Sequence, residues 1–287
     1  VGSTGSGAPF ERVVFGVGGP VLADQTLPVA ARVAERADVP LELATVFARG
    51  DDELPDARAQ LLEDLAGRHD LDDAEVTVLS GWSVPRNLAD HVAGQVEPLL
   101  CLAASVRSRA DELFLGSVTG GVLHRVTCPV LVIGREVDTT ADPFDGPVLV
   151  CTDGSDEAES IVPLARAWTQ WSGQKPWVVS QLAPDIDVDP AHETSGVHRV
   201  AEQLGTDAEW EVLRGRRPGR AIAELAADRG AGLIIMATHG QSALARIAVG
   251  STAMATMERA PCPVLVQRPT SVEAHQDEGE DGEEQDG

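Results

Sequence analysis

The segment Cys128-Pro129-Val130-Leu131-Val132 returns as Cys262-Pro263-Val264-Leu265-Val266, 134 residues further on. The same offset relates Gly116-Ser117 to Gly250-Ser251 and Gly81 to Gly215, and an offset one residue longer relates Pro28 to Pro163. Several matches in one order at nearly one offset mark an internal duplication. A chain of 287 residues built this way must fold as two like units, each the size of an ordinary domain.

Within each unit, apolar runs of strand length alternate with helical patterns. The first unit reads as strands Arg12–Val17, Leu41–Phe47, Glu75–Leu79, Leu99–Ala103 and Val130–Ile133. Helices between them are expected at Ala23–Asp38, Asp56–His69 and Asn87–Gln95, and a fourth from Gly116-Ser117. The second unit reads as strands Val148–Cys151, Trp177–Leu182, Glu209–Leu213, one opening at Leu233, and Val264–Val266. Its helices are expected at Asp156–Trp171, His192–Leu204 and Gly219–Arg229, with a last one from Gly250. The first of these carries Ile161, Leu164, Ala165 and Trp168 on one stripe. Alternating strands and helices imply an α/β fold of two doubly wound, parallel, five-stranded sheets with right-handed crossovers. The expected organisation is a flexible start (1–10), a first domain (11–136), a linker (137–146), a second domain (147–269) and an acidic disordered tail (270–287).

Composition narrows the function. The net charge of −24 argues against nucleic acid or an anionic membrane as partner, although the tail after Thr270 supplies about a third of it with eight acids and no Lys or Arg. Lys175 is the only lysine, and it lies between Gln174 and Pro176, which excludes a Gly-Lys-Ser/Thr phosphate loop. Gly16-Val17-Gly18-Gly19 follows the first strand, but the third glycine of a dinucleotide fingerprint would fall at Val21. Cys101, Cys128, Cys151 and Cys262 lie in or beside apolar runs without metal-type spacing, so they are expected as reduced, buried small hydrophobes. No secretory leader and no apolar run near about 18 residues is read, which sets the expectation of a cytoplasmic protein without membrane insertion.

The stretch from Leu233 to Thr252 carries the strongest functional signal. An apolar strand breaks into Ala237-Thr238-His239-Gly240, and nine residues later Gly250-Ser251-Thr252 opens a helix. The first turn of a helix presents unpaired N–H groups and the positive end of its dipole to an anion, and glycine lets backbone approach a phosphate. This stretch resembles the nucleotide-binding signature of the universal stress protein family: Gly, two residues, Gly, nine residues, then Gly followed by Ser or Thr. Ala237 departs from it, standing where the family's ATP binders usually have the first glycine. The resemblance extends from about residue 11 to 268 as a tandem pair. It implies an adenine nucleotide alpha hydrolase-like, Rossmann-like architecture.

In open α/β sheets ligands bind beyond the carboxyl ends of strands where the strand order reverses. In the second unit those ends are Thr152-Asp153-Gly154-Ser155 and Ala237-Thr238-His239-Gly240. The resemblance implies that Asp153, beside Thr152, hydrogen-bonds the nucleoside and that Gln181 and Met236 flank the base. It implies a phosphate site at Gly240, Gly250, Ser251 and Thr252, with His239 beside it. The ligand implied is ATP or a related adenine nucleotide. Bland readings stand next to these: Asp153 as a turn or cap residue, Ser251 and Thr252 as ordinary helix starters. Arg216, Arg217 and Arg220 could reach a terminal phosphate or be solvated charges. Asp156 and Glu157 could help hold Mg²⁺ or simply favour a helix dipole.

The first unit keeps Gly116-Ser117 but has Gly18 in place of Asp153, and Ala103-Ala104-Ser105-Val106 in place of the glycine turn, with Val106 at the position of Gly240. It reads as a structural or regulatory copy. The last strand of each unit is an edge that invites pairing. Family members resembling one unit pair through it into two-fold dimers, so the two units here are expected to pack as an intrachain pseudo-dimer with these strands antiparallel. The expected function is a nucleotide-responsive regulatory module. The alternatives are a protein-interaction adaptor of the same fold that binds no nucleotide, and a slow ATPase or self-phosphorylating protein using Ser251 or Thr252. A protein client and further homo-oligomers are compatible with each.

Overall fold

A computed structural model describes residues 7–48, 55–104, 106–109, 112–182, 190–205, 207–238 and 249–269. The first half contains β1 (Arg12–Gly16), α1 (Pro20–Ala37), β2 (Leu41–Ala48), α2 (Pro55–Arg68), β3 (Glu75–Gly81), α3 (Val84–Ala93) and β4 (Pro98–Ala103). It continues with β5 (Val106–Arg109), β6 (Glu112–Leu115), α4 (Ser117–Leu123) and β7 (Val130–Ile133). The second half contains β8 (Val148–Cys151), α5 (Asp156–Glu159), α6 (Val162–Ser172), β9 (Pro176–Leu182), α7 (Pro190–Leu204) and β10 (Glu209–Arg214). It closes with α8 (Pro218–Arg229), β11 (Leu233–Ala237), α9 (Ser251–Arg259) and β12 (Val264–Gln267).

Ten strands form one sheet in the order β10-β9-β8-β11-β12-β7-β4-β1-β2-β3. Each half contributes five parallel strands with the same internal order, and the two sets meet where β12 pairs antiparallel with β7. At that seam Leu265 faces Leu131, and both are fully buried. The expected pseudo-dimer is thus one continuous sheet. One apolar layer on one face joins residues of α1 and α2 to residues of α6 and α7; the other face joins α3 and α4 to α8 and α9. Strands covered on both faces explain why the central runs are apolar throughout.

The halves are also tied away from the sheet. Phe10 and Phe144 pack on Trp168 and Trp171 of α6 with ring centroids 5.3–6.2 Å apart. From α1, Arg36 donates to the Ser172 carbonyl at 3.0 Å and lies over Phe144, while Arg32 donates to the carbonyls of Thr139 and Ala141. The segment between the halves is therefore held down rather than loose.

Several features differ from the sequence expectation, among them the start of α1 at Pro20 rather than Ala23. The helix expected over Asp156–Trp171 is two, α5 and α6, because Pro163 at the start of α6 lacks the N–H needed to continue a preceding helix. The third helix starts at Val84, with proline in its first turn, rather than at Asn87. The residues after β4 form an antiparallel hairpin, β5–β6, which the sequence reading took as connection only. Among the cysteines, Cys101, Cys151 and Cys262 are buried as expected, and Cys128 is half-buried; all four are free thiols.

Helix pairs cross closely behind the sheet. A Cβ added at Gly219 of α8 would come within 2.6 Å of the Ala255 Cβ and 2.7 Å of the Thr252 carbonyl of α9. In the first half the small residue has changed sides: Pro85 of α3 faces Gly121 of α4, where a Cβ would meet the proline ring at 2.8 Å.

Candidate functional site

The site lies at the carboxyl ends of β8, β9 and β11, where the chain leaves β8 toward one face and β11 toward the other. That reversal opens a crevice between the two departing connections. A cleft of about 330 Å³ occupies it. Its floor is a row across neighbouring strands: Val179 opposite Cys151, and Cys151 opposite Met236. All three side chains are buried, and the row gives the cleft an apolar base.

Above the floor the loop after β8 makes a fixed turn. The Gly154 N–H donates to Thr152 Oγ1 at 3.0 Å, and Gly154 takes the positive φ (78°) that favours glycine. The Ser155 N–H and hydroxyl both donate to Asp153 Oδ1, at 3.1 and 2.5 Å, and Ser155 in turn caps α5 by accepting from the Ala158 N–H at 3.2 Å. Asp153 is exposed at the cleft. The turn role and a ligand role are compatible, since a carboxylate has acceptor positions for both.

The opposite wall is the start of α9. Gly250, in an extended conformation (φ −58°, ψ 145°), is its cap residue, and no side chain among the described residues caps the helix. The Gly250 N–H donates to the Thr238 carbonyl at 2.8 Å, anchoring the helix start to the end of β11. Helix geometry then leaves the N–H groups of Ser251, Thr252 and Ala253 without intrahelical acceptors. These three residues line the cleft. Such a start can receive an anion through backbone donors and dipole together.

Of the ten residues singled out from sequence, eight line this one cleft: Thr152, Asp153, Gln181, Met236, Ala237, Gly250, Ser251 and Thr252. His239 and Gly240 lie outside the described residues. Ala237 is buried beside the opening, and the cleft persists with its methyl group in place. Arg216 also lines the cleft, whereas Arg217 is the residue before α8 and Arg220 pairs with Glu224 at 2.7 Å. Among the described residues no group of three His, Cys, Asp or Glu is placed to hold a metal ion. Asp156 and Glu157 are exposed in the first turn of α5. Sequence reasoning missed Thr238, Gly215 and Pro218. Thr238 holds the Gly250 N–H through its carbonyl, a backbone role that side-chain patterns do not report.

In the first half the helix start is similar: Gly116 (φ −49°, ψ 144°) precedes α4, again with no side-chain cap. The sheet-end residues differ. Gly18 brings no carboxylate, and β5 begins at Val106, where the second half has Gly240.

Comparison with known proteins agrees with this geometry. The universal stress protein family matches twice, over residues 9–134 and 146–268. A universal stress protein of Mycobacterium tuberculosis is 26% identical over 298 residues, covering 92% of this chain and 98% of the relative. Another from Thermus aquaticus is 32% identical over 133 residues, covering 42% of this chain and 97% of the relative. The crystal structure of a universal stress protein from Archaeoglobus fulgidus superposes with a TM-score of 0.69 at 17% identity, covering 90% of this chain and 98% of that one. No described helix is long and apolar enough to cross a membrane. Two family matches, one in each of the halves that the sheet joins edge to edge, show that the chain belongs to the universal stress protein family.

Proposed function

We propose that the second half binds an adenine nucleotide, ATP foremost, and that the protein acts as a nucleotide-responsive regulatory module. One observation carries this reading. Residues far apart in sequence, singled out by the resemblance to the family's nucleotide site, meet around a single cleft whose far wall is a helix start with no side-chain cap among the described residues. The base would rest on the row of Val179, Cys151 and Met236, Asp153 would take the ribose hydroxyls, and the phosphates would receive the N–H groups of Ser251, Thr252 and Ala253. If Mg²⁺ accompanies the nucleotide, phosphate oxygens would supply most of its ligands. Residues 11–136 and 147–269 would be two domains of one body, the first serving as a structural copy.

The test is titration calorimetry with ATP, together with mass identification of any nucleotide released from denatured purified protein. Gly250→Val places a branched side chain where phosphate approaches and should abolish binding. Gly116→Val should leave affinity unchanged. Equal losses from both variants would refute the assignment of the site to the second half.

A further inference from the structure

We propose that Gln181 makes the cleft selective for a 6-aminopurine base over a 6-oxopurine, by accepting a hydrogen bond from the exocyclic amino group; this rests on the nucleotide reading above. Gln181 lies two residues beyond Val179 on β9, so strand alternation puts both on the same face, with Gln181 standing above the apolar floor. Its side-chain Nε2 donates to the Gly215 carbonyl. A carbonyl can only accept, so the amide nitrogen and not the oxygen must face Gly215. The orientation of the amide is thereby settled by chemistry, and Oε1 is the atom left for a ligand. No donor among the described residues reaches it.

The position suits the edge of a base. β9 is separated from β11 by β8, so Gln181 lies roughly 10 Å across the sheet from the end of β11, two strand spacings away. That end anchors the start of α9 through Thr238 and Gly250. A nucleotide with its phosphates at α9 therefore brings the far edge of its base to Gln181. A 6-amino group presents a donor to Oε1, whereas a 6-oxo group presents an acceptor. Facing acceptors leave both unsatisfied and repel.

The probes, titrated into the full chain, are ATP and inosine triphosphate, which has 6-oxo in place of 6-amino and a proton on N1, with N6,N6-dimethyl-ATP as the probe that changes the 6-position while leaving N1 an acceptor. The wild type should favour ATP by about tenfold or more, the usual consequence of a polar group meeting the wrong partner. N6,N6-dimethyl-ATP, which has no N–H at that position, should bind as weakly as inosine triphosphate. Gln181→Ala should lower ATP affinity and bring the two nucleotides within about threefold of each other, with a thermal melt confirming that the variant is folded. Equal affinities in the wild type, or a preference undiminished in Gln181→Ala, would overturn the role of Gln181 while leaving the nucleotide site standing. Failure of the wild type to bind any of the three would overturn the nucleotide reading and this inference with it.

Discussion

Adding one methyl group at Gly219 tests whether the cleft depends on the helix pair behind it. The new Cβ would lie 2.6 Å from the Ala255 Cβ, 2.7 Å from the Thr252 carbonyl oxygen and 2.8 Å from the Thr256 nitrogen. Two of the three neighbours are backbone atoms, so no change of rotamer relieves the contact. Restoring ordinary carbon contacts near 3.5 Å requires α9 to move by about 1 Å relative to α8. Such overpacking costs about 1–3 kcal/mol, offset in part by the better helix propensity of alanine, which is worth at most about 1 kcal/mol. The net loss of about 1–2 kcal/mol should lower the melting temperature by roughly 2–8 °C. The effect on binding is larger, because Thr252 itself is displaced. A shift of this size breaks one or two charge-assisted hydrogen bonds to phosphate, each worth about 1.5–3 kcal/mol, so ATP affinity should fall roughly tenfold or more. Gly121→Ala makes the equivalent clash in the first half, against Pro85. It should lower the melting temperature in the same way and leave ATP affinity unchanged. Calorimetry showing unaltered affinity in Gly219→Ala, or equal losses in the two variants, would refute the link between this helix crossing and the site.

Three more outcomes are expected. Asp153→Ala should weaken ATP binding by about 1–3 kcal/mol in titration calorimetry, the cost of a lost charge-assisted hydrogen bond, whereas Asp153→Asn should retain the turn through Ser155. Leu131→Ala removes a fully buried side chain from the seam against Leu265, and chemical denaturation should show a loss of about 2–5 kcal/mol. Burial pushes the Cys128 thiol up to about 11 and the Cys151 and Cys262 thiols to about 12. Only the thiolate reacts, so iodoacetamide should label the folded protein slowly at neutral pH and faster as pH rises toward these values, with half-buried Cys128 first; fast labelling of Cys151 under folding conditions would contradict this.

The duplication made most of the architecture legible, because one offset specified both units and the edge strands that needed pairing. The strand Val264–Gln267 and its twin Val130–Ile133 are too apolar to stand at a solvent edge, and they cover each other in the structure. The split between α5 and α6 was not legible in the same way. The stripe of Ile161, Leu164, Ala165 and Trp168 keeps its period near the break, and periodicity does not register the backbone constraint imposed by Pro163. The hairpin Val106–Arg109 with Glu112–Leu115 is two strands of four residues each, the shortest length at which alternation can be read, and neither is a continuous apolar run like Val130–Ile133. The cluster of Phe10, Phe144, Trp168 and Trp171 gathers side chains from three distant segments, a tertiary fact with no local signature.

The two helix starts separate what a scaffold supplies from what a site requires. Gly116 and Gly250 precede α4 and α9 in nearly the same extended conformation, and among the described residues neither helix has a side-chain cap. An uncapped helix start is therefore common to both halves and cannot by itself distinguish them. The difference lies at the strand ends. After β8 the chain places a carboxylate in a turn fixed by three hydrogen bonds to Asp153 and Thr152. After β1 it places Gly18, around which an added Cβ would meet nothing within 4 Å. The same division runs through the helix crossings: Gly219 lets α8 approach α9 behind the cleft, while Pro85 shifts the small residue to α4. Each exchange is tolerated because the sheet face beneath stays buried, with Val14, Leu100 and Val132 as fully covered as Leu149, Ile234 and Val266. The fold constrains the apolar layer in both halves alike, and leaves the polar residues at the strand ends as what sets the proposed nucleotide site of the second half apart from the first.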